Sequence, residues 1–289
     1  MFGAMLQETA LKIKDLGDLS APTLLFGGPY SNLHALEAMK AWADAQGISP
    51  SNTICTGDVA AYCAYPEECT QTIKDWGIHV LAGNCEINLA AEVDDCGCGF
   101  EEGTACSLLS KGWYPFASAE ISHASRQWMG ACPDRIAFRF QGKRFAVIHG
   151  GTQDVSAFIW PTSDDEMLRS EINHLETQVG ALDGVIAGHS GIPMKRNVAG
   201  IDWLNAGVIG MPANNGQSST DFLVLTEAGP EFHKLNYDWN AAQQAMIKAG
   251  LVQGYHQTLE TGYWPSEDIL PPELRKASQP ADGGSRPVL

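Results

Sequence analysis

The sequence predicts a mixed α/β (α+β) fold built on two β-sheets. From residue 23 onward, short apolar runs end at a glycine, and each is followed by a stretch with helical spacing. A second series of apolar runs begins at residue 135, after a segment with weaker periodicity. Strand, loop and helix repeated in this way bring the loops after the strands to one sheet edge. The two series therefore predict a sandwich with its functional site at that edge.

The first series supplies strands and helices in alternation. Strands are expected at residues 23–27, 53–57 and 79–83, and helices at residues 32–46 and 66–76. Before this series, apolar residues near helical spacing predict a short packing helix: Leu6, Leu11, Ile13 and Leu16.

The second half begins with an insertion over about residues 91–133, which contains cysteines and two expected helices, near 104–111 and 121–130. It is expected to cap the sheet edge. Further strands are expected at residues 135–140, 144–149, 184–189, 199–204 and 221–226, with a helix near 164–178. The last stretch, about 271–289, is rich in Pro, Gly and Ser and is expected to wrap loosely or to be disordered. Nothing resembles an interdomain linker, so residues 1–289 are expected to form a single domain with its core at 23–226.

Composition restricts the classes of function. The chain has 289 residues, 44% of them hydrophobic, which is enough for a large core. A formal charge of −16, from 34 acidic and 18 basic residues, opposes binding to nucleic acid. The absence of a long apolar run or a basic-then-apolar start predicts a soluble, cytoplasmic protein without a membrane partner. The eight cysteines are accordingly expected to be thiols.

Polar residues that suit a metal ion follow four of the expected strands. Asp58 comes after Gly57, and Asn84 comes after Gly83. His149 and His189 each end an apolar run beside a glycine. One carboxylate, one amide oxygen and two imidazoles form a donor set that suits Mn, Fe or Zn.

The order of these motifs resembles that of the calcineurin-like metallophosphoesterases, in particular their bacterial branch, over roughly residues 23–225. The motifs that carry the resemblance are Gly57-Asp58, Gly83-Asn84-Cys85, His149-Gly150 and Gly188-His189-Ser190-Gly191. The resemblance implies a four-layer αββα sandwich, here with a small helical, cysteine-containing insertion, and a site that holds two metals in the family.

One half of that metal site is missing from this sequence. Gly28 and Tyr30 stand where the family's opening motif has Asp and His, and Gly191 stands where its closing motif has a second His. The resemblance therefore implies that one site has lost three ligands. The other site is complete, with Asp58, Asn84, His149 and His189 as its ligands. One divalent transition metal (Mn, Fe or Zn) is expected.

Two further residues are candidates for catalysis. The Tyr30 hydroxyl is placed to replace the missing metal by donating to a phosphoryl oxygen or by ligating a cation; alternatively, its ring fills the vacated pocket. Cys85 stands where many members of the family have a His that aids the leaving group, and a small packed residue is the alternative. Cys96 and Cys98 could add thiolate ligands, although buried or loop thiols without a metal are favoured.

These observations predict a metal-dependent phosphoesterase that hydrolyses a small phosphomonoester or phosphodiester through one metal-bound water. The alternative is a non-catalytic or regulatory binding module that retains the fold and a single metal. A thiol-linked metal or redox function is a third reading. The sequence indicates neither the natural substrate nor the oligomeric state.

Overall fold

The computed structural model describes residues 10–20, 22–98 and 105–278, and two β-sheets form its centre. The five-stranded sheet has the order β11-β10-β2-β3-β4, with β2 at Thr23–Phe26, β3 at Thr53–Cys55, β4 at His79–Val80, β10 at Thr220–Thr226 and β11 at Gly229–Leu235. The six-stranded sheet has the order β1-β5-β6-β7-β9-β8, with β1 at Ile13–Leu19, β5 at Arg135–Phe140, β6 at Lys143–Val147, β7 at Gly184–Ala187, β8 at Met194–Val198 and β9 at Ile201–Asn205. In both sheets the strands that lead to the site are parallel.

Helices cover the outer faces of both sheets. The first part of the chain contributes α1 (Leu33–Ala45), α2 (Pro66–Trp76) and α3 (Asn84–Ala90). The insertion forms α4 (Ala105–Glu120) and α5 (His123–Ala131), and the remainder forms α6 (Asp165–Val179), α7 (Trp239–Lys248) and α8 (Tyr255–Thr261). None of the described helices combines the length and the apolar character that crossing a bilayer requires.

Three apolar clusters show the layering. Between the sheets, Leu25 and Ile54 of one sheet pack with Phe138 of the other. On one outer face, α1 and α2 pack on the five-stranded sheet, and on the other, α6 packs on the six-stranded sheet. Helix, sheet, sheet and helix form four layers, which confirms the predicted αββα sandwich.

The N-terminal segment differs from the prediction. Ile13 and Leu16 lie in β1, a mostly exposed edge strand that pairs parallel to β5, and not in a helix; Leu6 lies outside the described residues. The register shifts between Asp15 and Asp18, where Gly17 adopts a left-handed conformation. Backbone pairing with β5 outweighs a helical spacing supported by few apolar residues.

Two segments near the site also correct the sequence analysis. Within the insertion, the loop ahead of α4 turns back at Gly97, which has a positive φ, and joins Cys96 to Cys98 in a disulfide, so the thiol prediction is wrong for this pair. Residues 271–278 do not wrap loosely: they form short 3₁₀ turns, and Leu274 is buried against Trp160. Residues 279–289 lie outside the described part of the chain.

Candidate metal centre

Four strand ends, two from each sheet, converge at one edge of the sandwich. Asp58 follows β3, and Asn84 begins α3 shortly after β4. His149 follows β6 and His189 follows β7. All four residues are at least 92% buried, with 4%, 1%, 1% and 8% of their surface exposed, respectively. The structure thus brings together the four residues that the sequence predicted as ligands.

The potential ligand atoms lie at the spacing of a coordination shell. His149 Nε2 is 3.2 Å from Asp58 Oδ2, 3.0 Å from Asn84 Oδ1 and 3.1 Å from His189 Nδ1. His189 Nδ1 is 4.0 Å from Asp58 Oδ2. Ligand atoms held tetrahedrally at about 2.1 Å from an ion are about 3.4 Å apart. A small divalent cation therefore fits between them.

Hydrogen bonds around the cluster orient its lone pairs inward. His149 Nδ1 lies 2.6 Å from the Thr56 carbonyl oxygen, which can only accept, so this nitrogen carries the proton. Asn84 Nδ2 donates to the Cys96 carbonyl at 3.0 Å, which turns the amide oxygen toward His149. Neutral His149 then offers a lone pair at Nε2 toward Asp58 Oδ2 and Asn84 Oδ1, which are themselves acceptors. Such a cluster needs a cation, either a proton or a metal.

The pKa values agree with this requirement. Burial raises the pKa of Asp58, but His149 and His189 outweigh it and lower the pKa to about 2. Burial lowers the pKa of His149, but Asp58 raises it above its ordinary value. Burial, followed by the charge of His149, lowers the pKa of His189 to about 3. The two shifts favour a positive charge beside the Asp58 carboxylate, which a divalent cation would also supply.

A carboxylate that the sequence analysis did not assign holds the Asp58 loop. Glu86, fully buried in the first turn of α3, accepts hydrogen bonds from the backbone N–H groups of Asp58 at 2.7 Å, Val59 at 2.8 Å and Gly83 at 2.9 Å. Asp58 itself has a positive φ of 58°, a conformation that costs a non-glycine residue roughly 1–2 kcal/mol. In the sequence, Glu86 is indicated only by its place in the first turn of a helix, three residues after the strand-end Gly83.

Tyr30 occupies the space between the other two replaced positions. A Cβ atom on Gly28 would lie 2.5, 2.6 and 2.9 Å from carbons of the Tyr30 ring, so the ring covers this glycine. A Cβ atom on Gly191 would lie 3.9 Å from the Tyr30 hydroxyl. The ring is 6% exposed and meets Tyr62 edge to face at 4.8 Å. Tyr30 therefore packs between positions 28 and 191 and also lines the cleft that contains Asp58 and His189.

The Cys85 side chain belongs to a buried apolar cluster and not to the described lining of the cleft. The residue's backbone N–H donates to Asp58 Oδ1 at 3.3 Å, while its thiol is buried in the cluster that contains Tyr30 and is not among the described side chains that line the cleft. Burial, followed by the charge of Asp58, raises the thiol's pKa well above its ordinary value. Cys98, in contrast, lines the cleft, and its Sγ lies 3.5 Å from Asn84 Nδ2.

A sandwich of two sheets, with a carboxylate, an amide and two imidazoles gathered at its strand ends, is the architecture of a metallophosphoesterase. Comparison with known families agrees: a sequence model of the calcineurin-like phosphoesterase superfamily domain matches residues 28–228. The chain belongs to this superfamily.

Solved structures share the fold at low sequence identity. A metallophosphoesterase from Sphaerobacter thermophilus is 17% identical, with a TM-score of 0.65, and the match covers 84% of this chain and 100% of that one. A hypothetical protein from Pyrococcus horikoshii is 14% identical, with a TM-score of 0.68, and the match covers 84% of this chain and 99% of that one. No curated protein matches the sequence. At these identities the likeness concerns the fold alone.

Proposed function

We propose that this protein is a phosphoesterase that depends on one divalent transition metal, Mn, Fe or Zn, held by Asp58, Asn84, His149 and His189. The observation that carries the proposal is the set of inward-facing ligand atoms 3.0–4.0 Å apart. When bound, the metal would polarise a phosphoryl oxygen and lower the pKa of a water molecule. The substrate is a small phosphomonoester or phosphodiester.

Tyr30 supplies the second electrophile in this proposal. Burial, followed by the charge of Asp58, raises the pKa of Tyr30 well above its ordinary value, so its hydroxyl stays protonated and is a hydrogen-bond donor. It lines the same cleft as Asp58 and His189. In hydrolysis, the bond between phosphorus and the leaving oxygen breaks as a bond to the water oxygen forms. One water proton goes to the leaving alcohol and the other is released or stays on the phosphate product. The Tyr30 hydroxyl would stabilise charge on a phosphoryl oxygen during this exchange.

The test measures metal content and turnover in the same preparations. Protein freed of metal by chelation is loaded separately with Mn, Fe and Zn, and hydrolysis of p-nitrophenyl phosphate and bis(p-nitrophenyl) phosphate is followed. The native protein should retain one metal per chain. His189→Ala should lose both the metal and the activity, because the remaining three donors bind first-row metals far more weakly. His123→Ala is the matched control, since His123 is exposed at the start of α5.

Two results would change the proposal in different ways. Unchanged metal content in His189→Ala would remove His189 from the ligand set. Two metals per chain would contradict the single-metal site while leaving the family unaffected, and would point to Tyr30 or a cysteine as an additional ligand.

A second candidate function is a binding or regulatory module that holds the metal without turnover. The Tyr30 ring favours it, because this ring fills the space of the lost ligands as a packing residue would. Stoichiometric metal binding without hydrolysis of either ester, by any of the three metal forms, would support this candidate over the enzyme.

A further inference from the structure

The cleft beside the candidate metal centre is unusually aromatic. Asp58 and His189 line it together with five aromatic side chains, Tyr30, Tyr62, Phe158, Tyr255 and Trp264. Counted with its open mouth, it contains about 590 Å³ of space. No lysine or arginine is among the described residues that line it. The cleft therefore offers flat apolar surface and no side-chain cation.

The aromatic walls are held in place from behind. Tyr62 packs against Tyr255, with 4.5 Å between ring centroids. Phe158 lies 4.5 Å from the His189 ring and stacks parallel to Trp160 at 5.2 Å. Because these rings pack on buried clusters on both sides, a planar group entering the cleft would meet surfaces that are already ordered.

Trp264 connects the two walls, since it packs on both clusters. Its indole N–H donates to the Pro212 carbonyl at 2.7 Å, and its backbone N–H donates to Asn214 Oδ1 at 2.8 Å. These bonds fix the ring, so it is a positioned part of the cleft.

One side of the cleft comes from outside the part of the chain that defines the superfamily. The match to the superfamily domain ends at residue 228, whereas Tyr255, Trp264, Ser266 and Ile269 all line the cleft. This C-terminal segment, residues 255–269, adds its own surface to a site whose metal ligands lie within the shared domain. Because this segment supplies none of the proposed metal ligands, it affects which substrate is preferred more directly than which reaction takes place.

Charge restricts the substrate further. Of the proposed ligands only Asp58 is anionic, so a divalent metal and its four ligands would together carry a net charge of about +1, with the buried Glu86 carboxyl beside them. The described residues that line the cleft include no lysine or arginine, and the chain charge is −16, so no described lining side chain offsets additional phosphate charges. A phosphodiester carries one negative charge, whereas a monoester carries up to two and a polyphosphate carries more.

We infer that residues 255–269 and Phe158 form an aromatic subsite, and that the substrate is a monoanionic phosphodiester with a planar aromatic substituent. This inference rests on the proposed function for the position of the phosphate. Water adds to phosphorus, one ester bond breaks, and the products are a phosphate monoester and an alcohol. A simple aryl group and a nucleobase offer the same flat surface, so the test includes both.

The first experiment compares diesters that differ only in the retained substituent. Phenyl p-nitrophenyl phosphate and ethyl p-nitrophenyl phosphate have equal charge and the same leaving group. The native protein should give a kcat/KM roughly tenfold or more higher for the phenyl ester, the scale of one aromatic stacking contact. Thymidine 5′-p-nitrophenyl phosphate tests a nucleobase in the same position: a rate above that of the phenyl ester identifies a nucleoside diester, and a rate below it identifies an aryl diester.

Variants connect the preference to the subsite. Trp264→Leu and Phe158→Leu should bring the phenyl-to-ethyl ratio close to one while metal content is retained. Two variants are used because the Trp264 indole also donates to the Pro212 carbonyl, so its replacement alone could fail to fold. Trp42→Leu, a partly buried tryptophan on α1, is the matched control and should keep the native ratio. A ratio unchanged in both subsite variants would overturn the inference.

Binding separates this inference from the proposed function. Diphenyl phosphate should bind the metal-loaded protein roughly tenfold or more tightly than diethyl phosphate in calorimetry, whether or not any ester is hydrolysed. That result without turnover would retain the subsite and refute the enzyme. Hydrolysis with equal or undetectable binding of the two diesters would retain the enzyme and refute the subsite. Tighter binding of phenyl phosphate than of diphenyl phosphate would refute the monoanionic substrate.

Discussion

Replacing Tyr30 tests whether its ring or its hydroxyl accounts for its place beside the metal centre. The ring is 6% exposed, covers Gly28 and contacts Tyr62. Tyr30→Ala removes this ring and should destabilise the protein by about 3–5 kcal/mol, the usual cost of truncating a buried aromatic residue. Tyr30 also has a positive φ of 53°, so Tyr30→Gly should be about 1 kcal/mol more stable than Tyr30→Ala.

Tyr30→Phe keeps the ring and removes only the hydroxyl. Its stability should remain within about 1 kcal/mol of the native value, because the packing is unchanged. If the hydroxyl donates to a phosphoryl oxygen, kcat should fall by roughly 10²–10³-fold, as when one oxyanion donor is removed. Urea unfolding at constant m-value measures the first quantity, and steady-state hydrolysis of bis(p-nitrophenyl) phosphate measures the second.

The expected loss of stability in Tyr30→Ala and the expected loss of kcat in Tyr30→Phe can each be contradicted separately. A loss below about 1 kcal/mol in Tyr30→Ala would mean that the vacated pocket does not need the ring. A Tyr30→Phe protein with kcat within about twofold of native would remove the hydroxyl from the chemistry and leave the metal as the only electrophile. That second outcome would favour the binding module or a slow enzyme.

Three further predictions concern the surroundings of the site. Gly28→Ala should lower the free energy of unfolding by about 2–4 kcal/mol, because the new Cβ atom would clash with the Tyr30 ring. In a Tyr30→Ala background the loss should be at least about 1 kcal/mol smaller, and a double-mutant cycle that shows simple additivity would contradict this. Glu86→Gln should lower the free energy of unfolding by about 2–4 kcal/mol and weaken metal binding, because the amide NH₂ group would face backbone N–H donors. Glu37→Gln, on the exposed face of α1, is the control and should change neither quantity. Metal-free protein should lose stability as pH falls from about 6.5 toward 3, by up to about 1.4 kcal/mol per pH unit. The reason is that His189 becomes protonated in the unfolded chain over this range, whereas in the folded chain the pKa of His189 is about 3. Urea unfolding of His189→Asn should show a flatter slope.

Much of the fold was predictable because its elements carry strong local signals. The α2 helix has Pro66 at its first position and a left-handed Gly77 at its end, and its predicted range of 66–76 agrees with the structure. The β5 strand, Arg135–Phe140, also has its predicted bounds. Elements with weak local signals were missed. The β8 strand, Met194–Val198, buries only its ends, and the largely half-exposed β11 forms through its pairing with β10.

The residues of the site were likewise predictable only where they carry a local signal. Asp58 and His149 stand out in the sequence because each follows an apolar run beside a glycine, and parallel strands bring such positions together. The aromatic wall at Trp264 gives no such signal, because its place in the cleft depends on hydrogen bonds to a loop about fifty residues earlier in the chain. Local pattern thus indicated the proposed ligands of the metal, while the surface proposed to select the substrate required the assembled structure.

The three residues that depart from the expected dinuclear pattern, Gly28, Tyr30 and Gly191, are physically linked. A side chain at position 28 would occupy the volume of the Tyr30 ring, and the backbone there has a positive φ of 33°, which favours glycine. The Tyr30 hydroxyl, in turn, ends close to the position that a side chain on Gly191 would take. An aspartate at 28 and a tyrosine at 30 therefore cannot both be accommodated without rearrangement. Gly28, Tyr30 and Gly191 therefore fit together as one packed structure, which lies beside the proposed metal ligands Asp58 and His189.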